Sequence, residues 1–210
     1  MVRARLAELL RPFAPEAELP SSALDRLQLY LDLLLRWNAR VNLTAVRQPE
    51  QIVTRHFGES LFAARMLLEP VHERPVTLAD VGSGAGFPGI PIKLWAPHVQ
   101  LTLIESQNKK AAFLREVLRT LQLDGAEVFC GRAEQWGKTA ELATLRAVER
   151  FERVLPVAAE LVAPGGRLCL LIGAGQVDAA RAISGDSWTW DKPVLVPQSA
   201  ERVVLIGERR

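Results

Sequence analysis

Residues 78–89 constrain the fold of this chain more than any other segment. They read Leu-Ala-Asp-Val-Gly-Ser-Gly-Ala-Gly-Phe-Pro-Gly, so an apolar run breaks into closely spaced glycines. A second apolar run, residues 101–104, ends on Glu105. Glycines let the backbone turn sharply out of a strand and leave no Cβ in the way of a ligand. A carboxylate after the next strand can accept hydrogen bonds from both hydroxyls of a ribose. The two runs together predict an α/β protein with a site for an adenosine-type cofactor.

The chain after residue 75 keeps this alternation of strand and helix patterns. Apolar runs predict strands over residues 76–81, 101–105, 126–130, 142–148 and 167–172, and a terminal pair over 187–196 and 202–206. Helical patterns lie between them, over residues 87–95, 109–121 and 151–162. Alternating elements of this kind form parallel strands joined by right-handed crossovers. We therefore expect a mostly parallel seven-stranded sheet with helices on both faces.

Residues 1–70 have a helical pattern, and we expect them to form an N-terminal helical extension packed on a core of residues 71–210. Leucines spaced three and four residues apart mark one buried helix face between residues 24 and 35. Two asparagines and Thr44 then predict a turn in which side chains satisfy backbone groups. A further helix is predicted over residues 49–68. Within it, His56 is either a hydrogen-bonding residue against the core or part of the site.

Composition narrows the possible classes. The chain has 210 residues, 49% of them hydrophobic, which is enough for one sizeable core. Its formal net charge of +2 permits an anionic partner without requiring one. No apolar stretch reaches the roughly 18 residues of a membrane span, and no signal-peptide pattern opens the chain. Cys130 and Cys169 have no CxxC partner. We therefore expect a cytoplasmic, monomeric protein with reduced thiols, no metal site and no membrane association.

The glycine segment also matches the dinucleotide pattern G-x-G-x-x-G at residues 84–89, which by itself favours a nicotinamide-dependent oxidoreductase. In a dinucleotide fold, however, the first glycine directly follows the strand. The glycine in that place here is Gly82, and counting from it puts Phe87 where the third glycine should stand. Pro88 and Pro91 also remove N–H groups that a diphosphate would need at the start of a helix. A cofactor without a diphosphate is therefore favoured.

Read from Asp80, the same segment is Asp-x-Gly-x-Gly-x-Gly. It resembles the motif of S-adenosylmethionine-dependent methyltransferases, which share a Rossmann-like α/β fold. Residues 163–169, Ala-Pro-Gly-Gly-Arg-Leu-Cys, resemble the entry to the fifth strand of that superfamily. Residues 131–136 follow the third strand, where the superfamily contacts the adenine. Glu134 there is alternatively a solvated loop carboxylate, and Arg146 is alternatively a surface arginine.

Over nearly its whole length the chain resembles one family, the bacterial 16S rRNA guanine-N7 methyltransferases, also called glucose-inhibited division protein B. The resemblance rests on Trp-Asn-Ala-Arg-Val-Asn-Leu-Thr at residues 37–44, on Gly-Phe-Pro-Gly-Ile-Pro at residues 86–91, and on shorter matches elsewhere. It implies methyl transfer from S-adenosylmethionine to N7 of a guanine in 16S rRNA or the small ribosomal subunit. With the glycine motif, it implies these cofactor-binding residues: Asp80, Gly82, Gly84, Gly86, Phe87, Glu105, Ala133, Glu134 and Arg146, the last of which also borders the methyl-transfer pocket.

The residues present and absent agree with this chemistry. Glu59 and Glu105 stand where aspartate is common in the family, which is a chemically mild change. N7 of guanine carries an exposed lone pair, so catalysis needs no base and can rest on alignment, which contributes up to about 7–11 kcal/mol. The chain has no Asn-Pro-Pro-Tyr segment, typical of amino-group methylation, and no Pro-Cys or Thr-Cys nucleophile, typical of carbon-5 methylation. These absences agree with methylation of a ring nitrogen.

Basic residues flank the predicted mouth of the site: Arg36, Arg40, Arg47, Arg55, Lys109, Lys110, Arg115 and Arg119. They either contact RNA phosphates, with Arg40, His56, Lys109 and Lys110 as the candidate RNA-binding residues, or form solvated faces paired with acidic residues. Other functions also stay open on the sequence. They are a nicotinamide-dependent oxidoreductase, a non-catalytic ribosome-binding module, and a methyltransferase with a small molecule or protein as acceptor.

Overall fold

A computed structural model of the chain describes residues 2–14, 21–68, 74–148 and 150–210. Its N-terminal part is helical and comprises α1 (Arg3–Leu10), α2 (Ser21–Asn38), α3 (Pro49–Ile52), a π-helical segment (Val53–Gly58) and α4 (Glu59–Leu67). The helix predicted over residues 49–68 is confirmed, but its centre has the wider π-helical turn. The predicted boundary between residues 70 and 71 lies outside the described residues.

The remaining elements form an α/β sandwich. The strands are β1 (Val76–Val81), β2 (Val99–Glu105), β3 (Ala126–Cys130), β4 (Ala140–Arg146), β5 (Val162–Gly173), β6 (Trp188–Trp190), β7 (Val194–Leu195) and β8 (Arg202–Arg209). The helices are α5 (Gly89–Trp95), α6 (Asn108–Thr120), α7 (Phe151–Glu160) and α8 (Val177–Ser184). Short 3₁₀ turns follow β3 and β5 and precede β6.

The sheet has the order β3-β2-β1-β4-β5-β8-β6, with β7 also paired to β8. The first five of these strands are parallel, and β8 runs antiparallel to β5. The prediction of seven strands was one short, since the run over residues 187–196 forms both β6 and β7, each antiparallel to β8. Asp191, Lys192 and Pro193 separate the two, and a proline cannot donate to the ladder.

Two predicted boundaries were also wrong. The helix predicted from residue 87 begins at Gly89, because Gly86 has a φ of 90°, outside the helical region, and residues 84–88 form turns. The turn predicted over residues 163–166 lies inside β5, which begins at Val162. The register between β4 and β5 shifts at this point, between Ala140 and Leu142, which absorbs the irregular backbone.

The sheet separates two apolar clusters. One face packs against α5, α6 and the N-terminal helices, so Leu78 and Leu103 share a cluster with Leu34 and Phe57. The other face packs against α7 and α8. The N-terminal helices therefore extend the packing of the sheet. Both thiols were predicted to be buried and reduced; Cys169 is buried, but Cys130 is only half-buried, and neither forms a disulfide within the described residues. Within the described ranges, no helix combines the length and the apolar character that crossing a bilayer requires.

Candidate functional site

The glycine turn opens onto a pocket of about 330 Å³ at the carboxyl edge of the sheet. Ligands of open parallel sheets bind at this edge, because the loops that leave neighbouring strands converge there. The pocket lining comes from the loops after β1, β2 and β4, from the loop after α2 and from the π-helical segment. The lining residues are Leu43, Thr44, His56, Gly82, Ser83, Gly84, Ala85, Phe87, Glu105, Gln107, Lys110, Arg146, Ala147 and Val148.

The three glycines of the turn share a backbone conformation, but Gly84 and Gly86 have different surroundings. Gly82, Gly84 and Gly86 all have a left-handed φ, between 57° and 90°, which L side chains adopt only with strain. A Cβ at Gly86 would lie 2.5 Å from Ile90 and 2.6 Å from the Tyr30 hydroxyl, so Gly86 is needed for packing. A Cβ at Gly84 would stand in open space, 3.8 Å from the Gly82 carbonyl oxygen. Gly84 is thus the glycine whose missing side chain leaves room for a ligand.

The two carboxylates of the motif are both buried but have different partners. Asp80 accepts hydrogen bonds from the Gly89 N–H at 3.2 Å and the Thr144 hydroxyl at 2.8 Å, and it does not line the pocket. Burial raises the pKa of Asp80 to about 6, against the lowering effect of these hydrogen bonds. Glu105 does line the pocket, where it accepts the N–H groups of Gly84 at 2.9 Å and Gln107 at 2.8 Å. Glu105 therefore joins the glycine turn to the end of β2.

The N-terminus of α5 offers few donors for a diphosphate. The Gly89 N–H donates to Asp80, and the Ile90 N–H donates to the Gly86 carbonyl at 2.9 Å. Pro91 has no N–H, and the N–H of the next residue donates to the Pro88 carbonyl at 3.1 Å. Dinucleotide sites need such groups aimed at the ligand. The geometry therefore favours a cofactor without a diphosphate, as the position of the prolines predicted.

Arg146, at the end of β4, lies at the centre of a polar network that lines the same pocket. Its Nη2 atom donates to the Arg55 carbonyl at 2.6 Å and lies 3.1 Å from His56 Nδ1 and 3.2 Å from Glu59 Oε2. Glu59 is 2% exposed and also accepts from Arg202 Nε at 2.8 Å. Burial lowers the pKa of Arg146, and the Glu59 carboxylate opposes that shift. Glu59 is therefore the counter-charge that holds Arg146 in the site.

The π-helical segment explains how Arg146 reaches a backbone carbonyl. The Glu59 N–H donates to the His56 and Thr54 carbonyls and skips the Arg55 carbonyl, which an α-helix would use. The Arg55 carbonyl is thus available to the guanidinium of Arg146. The same segment carries His56 into the pocket lining.

The charge of Arg146 sets the preferred tautomer of His56. The guanidinium lies 3.1 Å from His56 Nδ1, and its positive charge favours the tautomer in which that nitrogen presents its lone pair. Nε2 then carries the ring proton and donates to Thr44 Oγ1 at 2.8 Å. Burial and the nearby Arg146 lower the pKa of His56 to about 3, so the ring is neutral at pH 7. His56 is thus both the hydrogen-bonding residue against the core and a lining residue, two interpretations that the sequence had left as alternatives.

The loop after α2 has the hydrogen bonds from side chain to backbone that its asparagine and threonine residues predicted. Asn38 Oδ1 accepts the N–H groups of Leu43 at 2.8 Å and Thr44 at 3.0 Å, and Asn38 Nδ2 donates to the Thr44 carbonyl at 2.9 Å. The backbone of Thr44 is therefore fixed on both sides. Val46 N–H adds a hydrogen bond to Thr44 Oγ1 at 3.1 Å.

Aromatic rings pack against the glycine turn. Tyr30 of α2 is fully buried, and its hydroxyl donates to the Ala85 carbonyl in the turn. Its ring stacks on Phe87 at 5.3 Å and Phe57 at 5.2 Å, measured between ring centroids. Phe87 in turn contacts the His56 ring at 4.9 Å. Helix α2 and the π-helical segment thus hold the turn in place.

The structure does not bring all of the predicted residues to this pocket. Ala133 and Glu134 form the 3₁₀ turn after β3, outside the lining, and Glu134 is exposed. Arg40 and Lys109 are exposed and also outside the lining, whereas Lys110 contributes to it.

Other residues at the site were missed. The motif containing Thr44 was recognised without assigning it a role. Arg202 gave no local signal, since its partner Glu59 is 143 residues away in sequence.

A second cleft, of about 470 Å³, lies at the opposite edge of the sheet. It is lined by the amino ends of β1 to β4, including Thr77 and Gln100, and by Trp136 and Lys138. No glycine of the turn and no residue of the Arg146 network reaches it. Since ligands of such sheets bind at the carboxyl edge, the smaller pocket is the candidate site.

Solved structures share this fold at low sequence identity. A variant of MtNAS, solved in complex with S-adenosylmethionine, matches with a TM-score of 0.62 and 15% identity over 88% of this chain and 75% of that one. TYW2 of P. horikoshii, solved with MeSAdo, matches with a TM-score of 0.59 and 15% identity over 73% of this chain and 62% of that one. The fold is therefore the Rossmann-like fold of S-adenosylmethionine-dependent methyltransferases.

Sequence comparison identifies the family. A family model described as rRNA small subunit methyltransferase G matches residues 23–194. The ribosomal RNA small subunit methyltransferase G of Xanthomonas euvesicatoria pv. vesicatoria is 41% identical over 172 residues, covering 80% of this chain and 78% of that protein. The Myxococcus xanthus protein of the same name is 39% identical over 162 residues, covering 75% and 72%. The chain therefore belongs to the rRNA small subunit methyltransferase G family.

Proposed function

We propose that this protein transfers a methyl group from S-adenosylmethionine to N7 of a guanine in the rRNA of the small ribosomal subunit. One observation carries the proposal beyond family membership. The open side of Gly84, the Glu105 carboxylate and the Arg146 network line the same pocket at the carboxyl edge of the sheet. A place for the cofactor and polar groups beside it are the two parts that a transferase of this kind needs.

The residues of the pocket fit the cofactor. Gly82, Gly84 and Phe87 would border it, with the open side of Gly84 leaving space that a side chain would fill. The Glu105 carboxylate would accept from the ribose hydroxyls, as a carboxylate after the second strand does in related folds. Asp80 and Gly86 would act indirectly, by holding the turn to α5 and to Tyr30. The placement of Ala133 and Glu134 beside the adenine stays a prediction.

The methyl transfer requires little of the protein beyond alignment of the cofactor with the guanine. When bound, S-adenosylmethionine supplies an electrophilic methyl group on a sulfonium, which the N7 lone pair of guanine can take without losing a proton. The wall around Arg146 agrees with this, because His56 Nδ1 already accepts from Arg146 and its Nε2 already donates to Thr44. Neither ring nitrogen is left to act as a base. We infer that Arg146 and its neighbours orient the acceptor.

The proposed RNA surface comprises basic residues of α2, of the loop after it, of the π-helical segment and of α6, and one of them, Lys110, lines the pocket. Arg36, Arg40, Arg47, Arg55, Lys109, Arg115 and Arg119 are exposed, and Lys110 is partly exposed. In the described part of the chain, no carboxylate forms an ion pair with any of these eight. Unpaired basic side chains suit phosphate contacts, which position RNA without reading its sequence. A ribosomal substrate supports a cytoplasmic location.

The test is transfer of a labelled methyl group to small ribosomal subunits and to protein-free 16S rRNA from cells lacking the enzyme. Borohydride reduction and aniline cleavage then map 7-methylguanine. We expect label in at least one of the two substrates and cleavage at a single guanine. If S-adenosylmethionine binds and neither substrate is labelled, the rRNA assignment is wrong. Label without aniline cleavage would instead exclude N7 as the acceptor atom.

A further inference from the structure

Thr44 combines a fixed position with a fixed hydrogen-bonding role. Its backbone N–H and carbonyl are both bound by Asn38, so the residue cannot turn away from the pocket. Its hydroxyl oxygen accepts from His56 Nε2 at 2.8 Å and from the Val46 N–H at 3.1 Å. Thr44 lies with His56 and Arg146 in the pocket lining.

The direction of these hydrogen bonds is set by Arg146. The positive guanidinium of Arg146 favours a lone pair on His56 Nδ1, and in that tautomer Nε2 carries the proton and donates to Thr44 Oγ1. A hydroxyl has two acceptor lone pairs, and both are now in use. Within residues 2–14, 21–68, 74–148 and 150–210, no further hydrogen bond involves Thr44 Oγ1. The hydroxyl hydrogen is therefore free to donate to a ligand, and Thr44 can act toward that ligand only as a donor.

We propose that the Thr44 hydroxyl donates a hydrogen bond to O6 of the target guanine and so selects guanine over adenine. This inference rests on the proposed function. O6 lies beside N7 on the same edge of guanine and is an acceptor, whereas adenine carries an amino donor in that place. A pure donor in the pocket that also contains the glycine turn thus suits guanine and opposes adenine. Thr44 is a specificity-determining residue, and Arg146, His56 and Asn38 position it.

The experiment pairs a change in the protein with a change in the base. After the methylated position is mapped with the wild-type enzyme, ligated rRNA substrates carry either guanine or 2-aminopurine there. 2-Aminopurine keeps N7 and the 2-amino group but lacks O6. kcat/KM is measured for the wild-type enzyme and for Thr44→Val, which keeps the branched shape without the hydroxyl. Thr44→Ser restores the hydroxyl, and Thr120→Val, at the end of α6 and outside the pocket lining, controls for the substitution itself.

On guanine, Thr44→Val should lower kcat/KM about 10-fold, the worth of roughly one hydrogen bond. On 2-aminopurine, wild-type and Thr44→Val enzymes should react equally, and Thr44→Ser should resemble the wild type on both bases. The affinity for S-adenosylmethionine should not change. An equal loss on guanine and 2-aminopurine, or no loss on either, would overturn the inference.

A variant that fails to fold does not remove the test. The wild-type enzyme alone must prefer guanine to 2-aminopurine by about 10-fold, and equal rates on the two bases would also overturn the inference. The proposed function fails separately, if the wild-type enzyme forms no 7-methylguanine on the unmodified substrate.

Discussion

At the scale of the residue, the two carboxylates of the predicted cofactor site, Asp80 and Glu105, have different positions and roles. Both carboxylates are buried near the ends of neighbouring strands, but only Glu105 borders the pocket. Asp80 is bound by the N-terminus of α5 and by Thr144 of β4. Asp80 was predicted as a cofactor-binding residue, and its position supports an indirect role in holding the turn.

Asp80 should make the stability of the protein depend on pH. Its pKa in the folded protein is raised to about 6, so the folded state binds the proton more tightly than the unfolded state does. The stabilisation is full below about pH 4, the pKa of an unfolded aspartate, and is lost as pH rises through 6. Relative to Asp80→Asn, which cannot ionise, the wild-type free energy of unfolding should fall by about 2 kcal/mol between pH 4 and pH 7.

Urea denaturation at several pH values measures this difference. Asp191→Asn, at an exposed aspartate, is the matched control and should show no such trend. A constant difference between the wild type and Asp80→Asn across this range would show that Asp80 titrates alike in the folded and unfolded chain.

At the scale of the element, Glu59 ties together three parts of the fold. It begins α4, pairs with Arg146 of β4 at 3.2 Å, and pairs with Arg202 of β8 at 2.8 Å. Removing one partner of a buried ion pair leaves the other charge without compensation, which typically costs about 3 kcal/mol or more. Glu59→Gln should therefore lower the free energy of unfolding by about 3 kcal/mol and also lower methyl transfer.

Glu50→Gln offers a matched control for Glu59→Gln. Glu50 also pairs with an arginine, Arg5, but both side chains are about half exposed. Such surface pairs contribute at most about 1 kcal/mol. Equal losses of stability in the two variants, measured by urea denaturation, would contradict the role of Glu59 as a buried counter-charge.

The elements also show what sequence patterns can and cannot reveal. Strands β1 and β3 were predicted with their observed limits because an apolar run bounded by turn residues marks both ends. The helix over residues 49–68 was predicted from its pattern, but its π-helical centre was not. Six residues are too few for a wider helical turn to alter the spacing of apolar side chains visibly. Yet that turn makes the Arg55 carbonyl available to Arg146.

At the scale of the whole molecule, the pocket combines contiguous and distant parts of the chain. The glycine turn and Glu105 could be predicted, because each directly follows an apolar run that marks a strand, and the two strands are neighbours in the sequence. Thr44, His56 and Arg202 could be assigned their roles only from the structure, since hydrogen-bond direction and long-range ion pairs depend on the packing of α2, α4 and β8. The resemblance to a known family covered Thr44 and His56 but not Arg202, and the geometry shows the hydrogen-bond partners of all three.

The most direct test of the central claim is calorimetric titration of S-adenosylmethionine into Gly84→Val. A branched side chain there would fill the open side of the turn, so we predict one site per chain in the wild type and no detectable binding in the variant. Gly165→Val is the matched control, since Gly165 shares the left-handed φ, at 73°, and a Cβ added to it would have nothing within 4 Å. It should bind like the wild type, and none of the three proteins should bind NADH. Wild-type affinity in Gly84→Val, or competition by NADH, would contradict the assignment of this pocket to the methyl donor.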